Sequence, residues 1–110
     1  MFIAKKGSTL DPQLNEIIQK IAGYIKPVKI YLFGSRARGD AGPESDYDLA
    51  IIYDGEKSKG DVELDVYKLF MHTMIAMDVF VLTSDELEDF KPIANTLARE
   101  ITENGIVVFG

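Results

Sequence analysis

Three short, largely apolar runs, at 28–33, 49–52 and 79–82, stand between longer stretches of helical character. Runs of four to six residues are too short for buried helices and fit buried strands. Their alternation with helices limits the chain to a sheet with helices packed against it, an α/β or α+β architecture. The first helix is signalled by Asp11 as N-cap and Pro12 at the first helical position. Leu14, Ile17, Ile18, Ile21, Ala22 and Ile25 recur on one face. Pro27 ends that helix, because the residue before a proline avoids the helical region.

The spacing then predicts strands at 28–33, 46–53 and 78–82, a helix at 61–74, and a short helix from 83 or 84 to 90. On the 61–74 helix Val62, Val66, Leu69, Phe70 and Met74 share a face, while Val79, Phe80 and Val81 fill the third strand consecutively. Thr83 and Glu86 have capping-box spacing. A last helix opens at Pro92, turns Ile93, Leu97 and Ile101 inward, and stops at Asn104-Gly105 before an edge strand at 106–109. Residues 36–45 form a loop with a helical turn at its start, and 54–60 form a second polar loop. The sheet is therefore small, with about four strands.

At 110 residues the chain is one domain, 1–110, by length. It has no apolar stretch long enough to span a membrane. Residues 1–6 lack the apolar core of a signal peptide. Cysteine is absent, which removes disulfides and thiolate zinc and suits the cytoplasm. The net charge of -6 carries no basic footprint for a polynucleotide, but it suits a basic protein partner. A nucleotide remains compatible, since a bound cation offsets charge locally.

The chemistry concentrates between Gly34 and Asp48. Asp46 and Asp48 sit two apart on an expected strand, so both carboxylates project to one face, roughly 7 Å apart. Paired carboxylates repel unless a cation lies between them, and Mg²⁺ commonly binds through one or two carboxylates plus substrate phosphates. Tyr47 points to the opposite face and into the core. Gly34 lets backbone approach a phosphate, Ser35 adds a hydroxyl near a helix-like N-terminus, and Arg36 and Arg38 add cationic donors. Asp78 opens an otherwise apolar strand, where it serves as a third ligand or as the base for an incoming hydroxyl. Taken singly, each feature also fits a turn, a strand edge or surface charge; their order along the chain gives them weight. The only histidine, His72, fits a boundary position, Met71, Met74 and Met77 fit core packing, and Glu44 fits solvated charge near the site.

Gly34-Ser35, ten residues, then Asp46-x-Asp48 resembles the G-S-x10-D-x-D signature of the DNA polymerase beta-type nucleotidyltransferase superfamily. The stretches 34–39 and 45–49 further resemble the minimal nucleotidyltransferase (MntA-like antitoxin) group. The resemblance implies a nucleotidyltransferase fold with a mixed sheet. It implies that Asp46 and Asp48 hold two Mg²⁺ ions, or Mn²⁺ in their place, and that Asp78 completes the metal site and helps deprotonate the acceptor. Gly34 and Ser35 would hold the β- and γ-phosphates of ATP, the substrate, and Arg36 or Arg38 would offset charge on the leaving pyrophosphate. The implied partner is a HEPN-domain toxin adenylylated on a tyrosine. A non-catalytic binding module and transfer to a small-molecule hydroxyl are the competing readings.

Overall fold

The computed structural model describes residues 12–42 and 45–110. The expectations for Asp11, for residues 1–6, and for Pro43 and Glu44 lie outside them. Helix α1 (Pro12–Ile25) buries Leu14, Ile17, Ile18, Ile21 and Ile25, the face predicted from spacing. Strand β1 (Lys29–Phe33) leads into one turn of helix, α2 (Ser35–Arg38), and then to β2 (Tyr47–Ile52). Helix α3 (Lys59–Leu69), β3 (Met77–Leu82), α4 (Ser84–Phe90), α5 (Leu97–Asn104) and β4 (Ile106–Phe109) follow. No helix among the described residues is long and apolar enough to cross a membrane.

The sheet is mixed and four-stranded, in the order β3-β2-β1-β4. β1 is antiparallel to both β2 and β4, while β2 and β3 are parallel. The parallel pair needs a crossover, which α3 supplies. One sheet face carries Ile30, Leu32, Leu49, Ile51, Val79 and Val81 under α1 and α3. The other carries Tyr31, Ala50 and Ile52 under α4 and α5, with Leu87, Ala98 and Ile101 as the covering side chains.

Several boundaries differ from the expectations. Helix α3 starts at Lys59, capped by Ser58, whose side chain accepts from Asp61 N. It ends at Leu69 rather than at 74, because the Thr73 amide and hydroxyl both turn back onto the Phe70 carbonyl, at 3.0 and 2.7 Å, and close the chain into a turn. Met74 is consequently fully exposed and Met71 is 65% exposed, so of the three methionines assigned to the core only Met77 is buried. His72 lies exposed in the same turn rather than on the helix. Helix α5 starts at Leu97 rather than at Pro92. Thr96 caps it by accepting from Arg99 N and donates to the Phe90 and Ile93 carbonyls. Asn95, at φ 67, takes a left-handed conformation that no helix continues through. Ile93 is half exposed as a result. The Thr83–Glu86 capping box forms as expected.

Candidate active site

The end of the sheet where β1 stops and β2 and β3 begin gathers the polar residues. β1 ends on Phe33, whose partner on β2 is Asp48, and the partner of Asp48 on β3 is Asp78. Partners in register share a sheet face, and neighbouring strands lie about 4.8 Å apart. Phe33, Asp48 and Asp78 thus form one row across three strands, on the face covered elsewhere by α4 and α5. Asp46 stands one residue before β2, so the expected strand start at 46 moves to Tyr47. Asp46 and Asp78 are exposed and Asp48 is half-buried.

Burial raises the Asp48 carboxyl above the ordinary carboxylate value. The neighbouring charges of Asp78 and then Asp46 add to that rise, and Arg38 opposes it. The three acids therefore act on one another electrostatically. Among the described residues, no group of three or more His, Cys, Asp or Glu side chains is placed to hold a metal ion, so the three acids are neighbours rather than a converged ligand set. Their chemistry nevertheless fits a hard divalent cation. The donors are all carboxylate oxygens, and the half-buried member is held upward by burial and by two like charges, the latter of which a cation relieves.

Gly34 follows β1 directly, with φ 76 and ψ -156. A Cβ added there would lie 2.1 Å from Asp48 Oδ2. The residue must be glycine for two reasons, its left-handed backbone and the carboxylate lying against it. Its carbonyl accepts from Ala37 N and Arg38 N and so starts α2, while Ser35 occupies the first position of that turn, half-buried.

The two arginines behave differently. Arg36 donates through Nε and Nη2 to the Ser45 carbonyl at 3.0 and 2.8 Å, and its guanidinium carbon lies 4.0 Å from the centroid of the Tyr47 ring. It ties α2 to the segment just before Asp46, on the side of the sheet to which Tyr47 points. Tyr47 is buried, and its hydroxyl donates to Gln13 Oε1 at 2.9 Å. A cleft of about 460 Å³ opens beside Arg36, Tyr47 and Met74, and none of the three carboxylates lines it. Arg38 is exposed, pairs with Asp40 at 3.3 Å, and is the arginine whose charge reaches Asp48.

Two features escaped the sequence. One is the contact of Gly34 with Asp48, since nothing in a Gly-Ser dipeptide announces which side chain will lie against it. The other is Phe80, read only as part of the apolar run of the third strand but 40% exposed on the same face as Asp78, with its ring 5.7 Å from that of Phe33. The shared parity of 78 and 80 carried that signal.

The family described as polymerase beta, nucleotidyltransferase matches residues 15–110. The protein adenylyltransferase MntA of Aphanizomenon flos-aquae (strain 2012/KM1/D3) is 27% identical over 100 residues, spanning 88% of this chain and 67% of that protein. A Methanocaldococcus jannaschii protein, provisionally named a protein adenylyltransferase, is 35% identical over 99 residues, spanning 87% of this chain and 90% of that protein. Among solved structures, a provisional nucleotidyltransferase from Sulfolobus solfataricus superposes with a TM-score of 0.54 at 24% identity, covering 84% of this chain and 72% of that one. A chain from a crystal structure of a toxin-antitoxin with AMP-PNP superposes with a TM-score of 0.56 at 19% identity, covering 86% of this chain and 72% of that one. Both structural likenesses establish the fold.

Proposed function

The chain belongs to the polymerase beta-type nucleotidyltransferase family, and from that premise we propose that it transfers AMP from ATP to a tyrosine hydroxyl of a HEPN-domain toxin, acting as the antitoxin of the pair in the cytoplasm. In this proposal residues 1–110 act as one minimal nucleotidyltransferase domain. The observation that carries it is the row of Asp48 and Asp78 beside Gly34, at one open end of the sheet. Support for a protein acceptor and a toxin comes from a relative named as a protein adenylyltransferase and from the structural likeness to a chain of a toxin-antitoxin assembly.

Gly34 and Ser35 receive the β- and γ-phosphates of ATP, and Arg38 offsets charge on the departing pyrophosphate. Arg36 acts by holding Ser45, and with it the neighbouring Asp46, in place. Asp46, Asp48 and Asp78 are the residues that would hold Mg²⁺, or Mn²⁺. When bound, two such ions neutralise phosphate charge and stabilise the attacking and leaving oxygens. The acceptor oxygen bonds to the α-phosphorus while the bond from that phosphorus to the α,β-bridging oxygen breaks. Pyrophosphate leaves with that oxygen, and the acceptor's proton passes to the Asp78 carboxylate and then to water. Positioning and electrostatics supply most of the acceleration in such transfers.

Intact-mass spectrometry of the protein encoded beside this one, after incubation with this chain, ATP and Mg²⁺, tests the proposal. The expected result is a mass gain of one or more AMP units that disappears when Asp46→Ala/Asp48→Ala replaces the parent. A tight complex with no mass gain would instead point to neutralisation by contact alone.

A further inference from the structure

Strand β3 alternates strictly: Met77, Val79 and Val81 are buried, while Asp78 and Phe80 are exposed on the other face. Phe80 keeps 40% of its surface in water, although its strand is the one that presents Asp78. Its ring is also held. Phe33 lies 5.7 Å away, centroid to centroid, at 57°, and Phe33 in turn packs against the buried cluster of Tyr31, Ala50 and Ile52. The Phe80 ring thus rests against a fixed neighbour and still keeps a substantial exposed surface. Asp78 and Phe80 are two residues apart on one face, hence about 7 Å apart along the strand.

The direction of the proposed reaction adds a second constraint, and the inference rests on that proposal. Gly34 ends β1, Asp48 lies on β2 and Asp78 lies on β3, so phosphate loop, central carboxylate and base succeed one another across the sheet. In an in-line displacement the attacking oxygen enters opposite the leaving pyrophosphate. Pyrophosphate at Gly34 therefore places the acceptor on the β3 side. A side chain whose hydroxyl reaches Asp78 can lie along that face over its next exposed residue, Phe80. A phenol spans that interval with an aromatic ring. The hydroxyl of a serine or threonine has only a short aliphatic stem to offer there.

We propose that Phe80, braced by Phe33, is the residue that receives the acceptor's aromatic ring, and that it makes this site selective for phenolic over aliphatic hydroxyls. A tilted or offset ring pair contributes about 0.5–1.5 kcal/mol beyond area burial. At about 1.4 kcal/mol per tenfold, that amounts to a preference of roughly two- to tenfold.

Isothermal titration calorimetry with Mg²⁺ present tests this on ATP, AMP, and the AMP esters of N-acetyltyrosinamide and N-acetylthreoninamide. The parent protein should bind the tyrosyl ester about fivefold more tightly than the threonyl ester. Phe80→Ala should abolish that preference while leaving ATP and AMP affinities within about twofold, and Phe80→Leu, which keeps an apolar side chain on the strand, should retain part of it. Equal affinities of the parent for the two esters, or a preference that survives Phe80→Ala, would overturn the proposal. So would an equal weakening of AMP and the tyrosyl ester by Phe80→Ala and Phe80→Leu, which would place the ring against the nucleoside. Failure of the parent to bind ATP would instead remove the nucleotidyl-transfer reading of the site, and this inference with it.

Discussion

The two faces of the sheet are built from the same strands and treat charge in opposite ways. On the face under α1 and α3, the cover runs the full length of β2, and Tyr47, Leu49 and Ile51 are all buried. On the other face, α4 and α5 cover Ala50 and Ile52 but stop short of the row formed by Phe33, Asp48 and Asp78. A carboxylate beneath the first cover would be unpaired and desolvated, at a cost of several kcal/mol. At the open end of the second face it stays half in water, with Gly34 against one side. The site exists where the helical layer is incomplete, and the larger buried cluster lies on the face where it is complete.

Replacing Asp48 with Asn tests the open face and should have the largest effect. Nucleotidyl transfer should fall about a thousandfold in single-turnover assays, the range seen when one preorganised electrostatic group is lost. Stability should move the other way. The folded-state pKa of Asp48 lies above its unfolded value of 3.8, so folding favours the protonated carboxyl. Its contribution is fully present below 3.8 and is lost as pH rises through the folded value. Near neutral pH Asp48→Asn should therefore melt higher than the parent, and the gap should close on acidification below 3.8. A variant that melts lower at neutral pH would mean that burial and the neighbouring acids do not disfavour the Asp48 charge in the folded chain.

Ile51→Ala tests the covered face. Ile51 is fully buried among Ile30, Leu49 and Val81, and its truncation should cost about 3 kcal/mol in denaturant unfolding. Activity per folded molecule should remain near that of the parent. Loss of activity without loss of stability would show that the two faces are not separable.

Much of this division was legible in the sequence. The α1 stripe, the strand runs and the capping box at Thr83 are local patterns and were correctly placed. The paired carboxylates and Gly34-Ser35 were legible as a motif. Tertiary facts were not. β2 reads as one continuous apolar run from Leu49 to Ile52 because both of its faces are covered there, so periodicity could not divide the faces. The ends of α3 and the start of α5 depend on where the Thr73 and Thr96 hydroxyls turn, and helical spacing does not encode that choice. Arg36 reads as a phosphate donor in sequence, whereas the structure shows its Nε and Nη2 donating to the Ser45 carbonyl.

The seam between the loop and the open face is tested by Gly34→Ala. An alanine held at φ 76 and ψ -156 costs about 1–3 kcal/mol, and its Cβ would force the adjacent Asp48 carboxylate to move. Thermal unfolding should reveal the first effect. Transfer activity should fall further than the stability loss explains, because the displaced group is the central acid of the row. A variant with lowered stability and unchanged activity would show that the contact between Gly34 and Asp48 serves folding alone.

Thr83→Ala should have the smallest effect and sharpens the comparison at the partial cover itself. The Thr83 side chain accepts from Glu86 N at 3.0 Å, and Glu86 Oε1 accepts from Thr83 N at 2.9 Å. Loss of this cap should cost about 1 kcal/mol. Glu86 is held below the ordinary carboxylate value first by its bond from Lys59 and then by the Thr83 amide. Its contribution is therefore present above the unfolded value of 4.5 and is lost as pH falls through the folded value. Hydrogen exchange separates the two faces directly. In Thr83→Ala the amides of α4 should exchange faster, because this short helix loses its N-terminal anchor, while those of α1 and α3 should keep their protection. Acidification of the parent should loosen α4 in the same way. Uniform acceleration across all the helices would mean that the partial cover unfolds only with the whole domain, leaving the open end of the site no local mobility of its own.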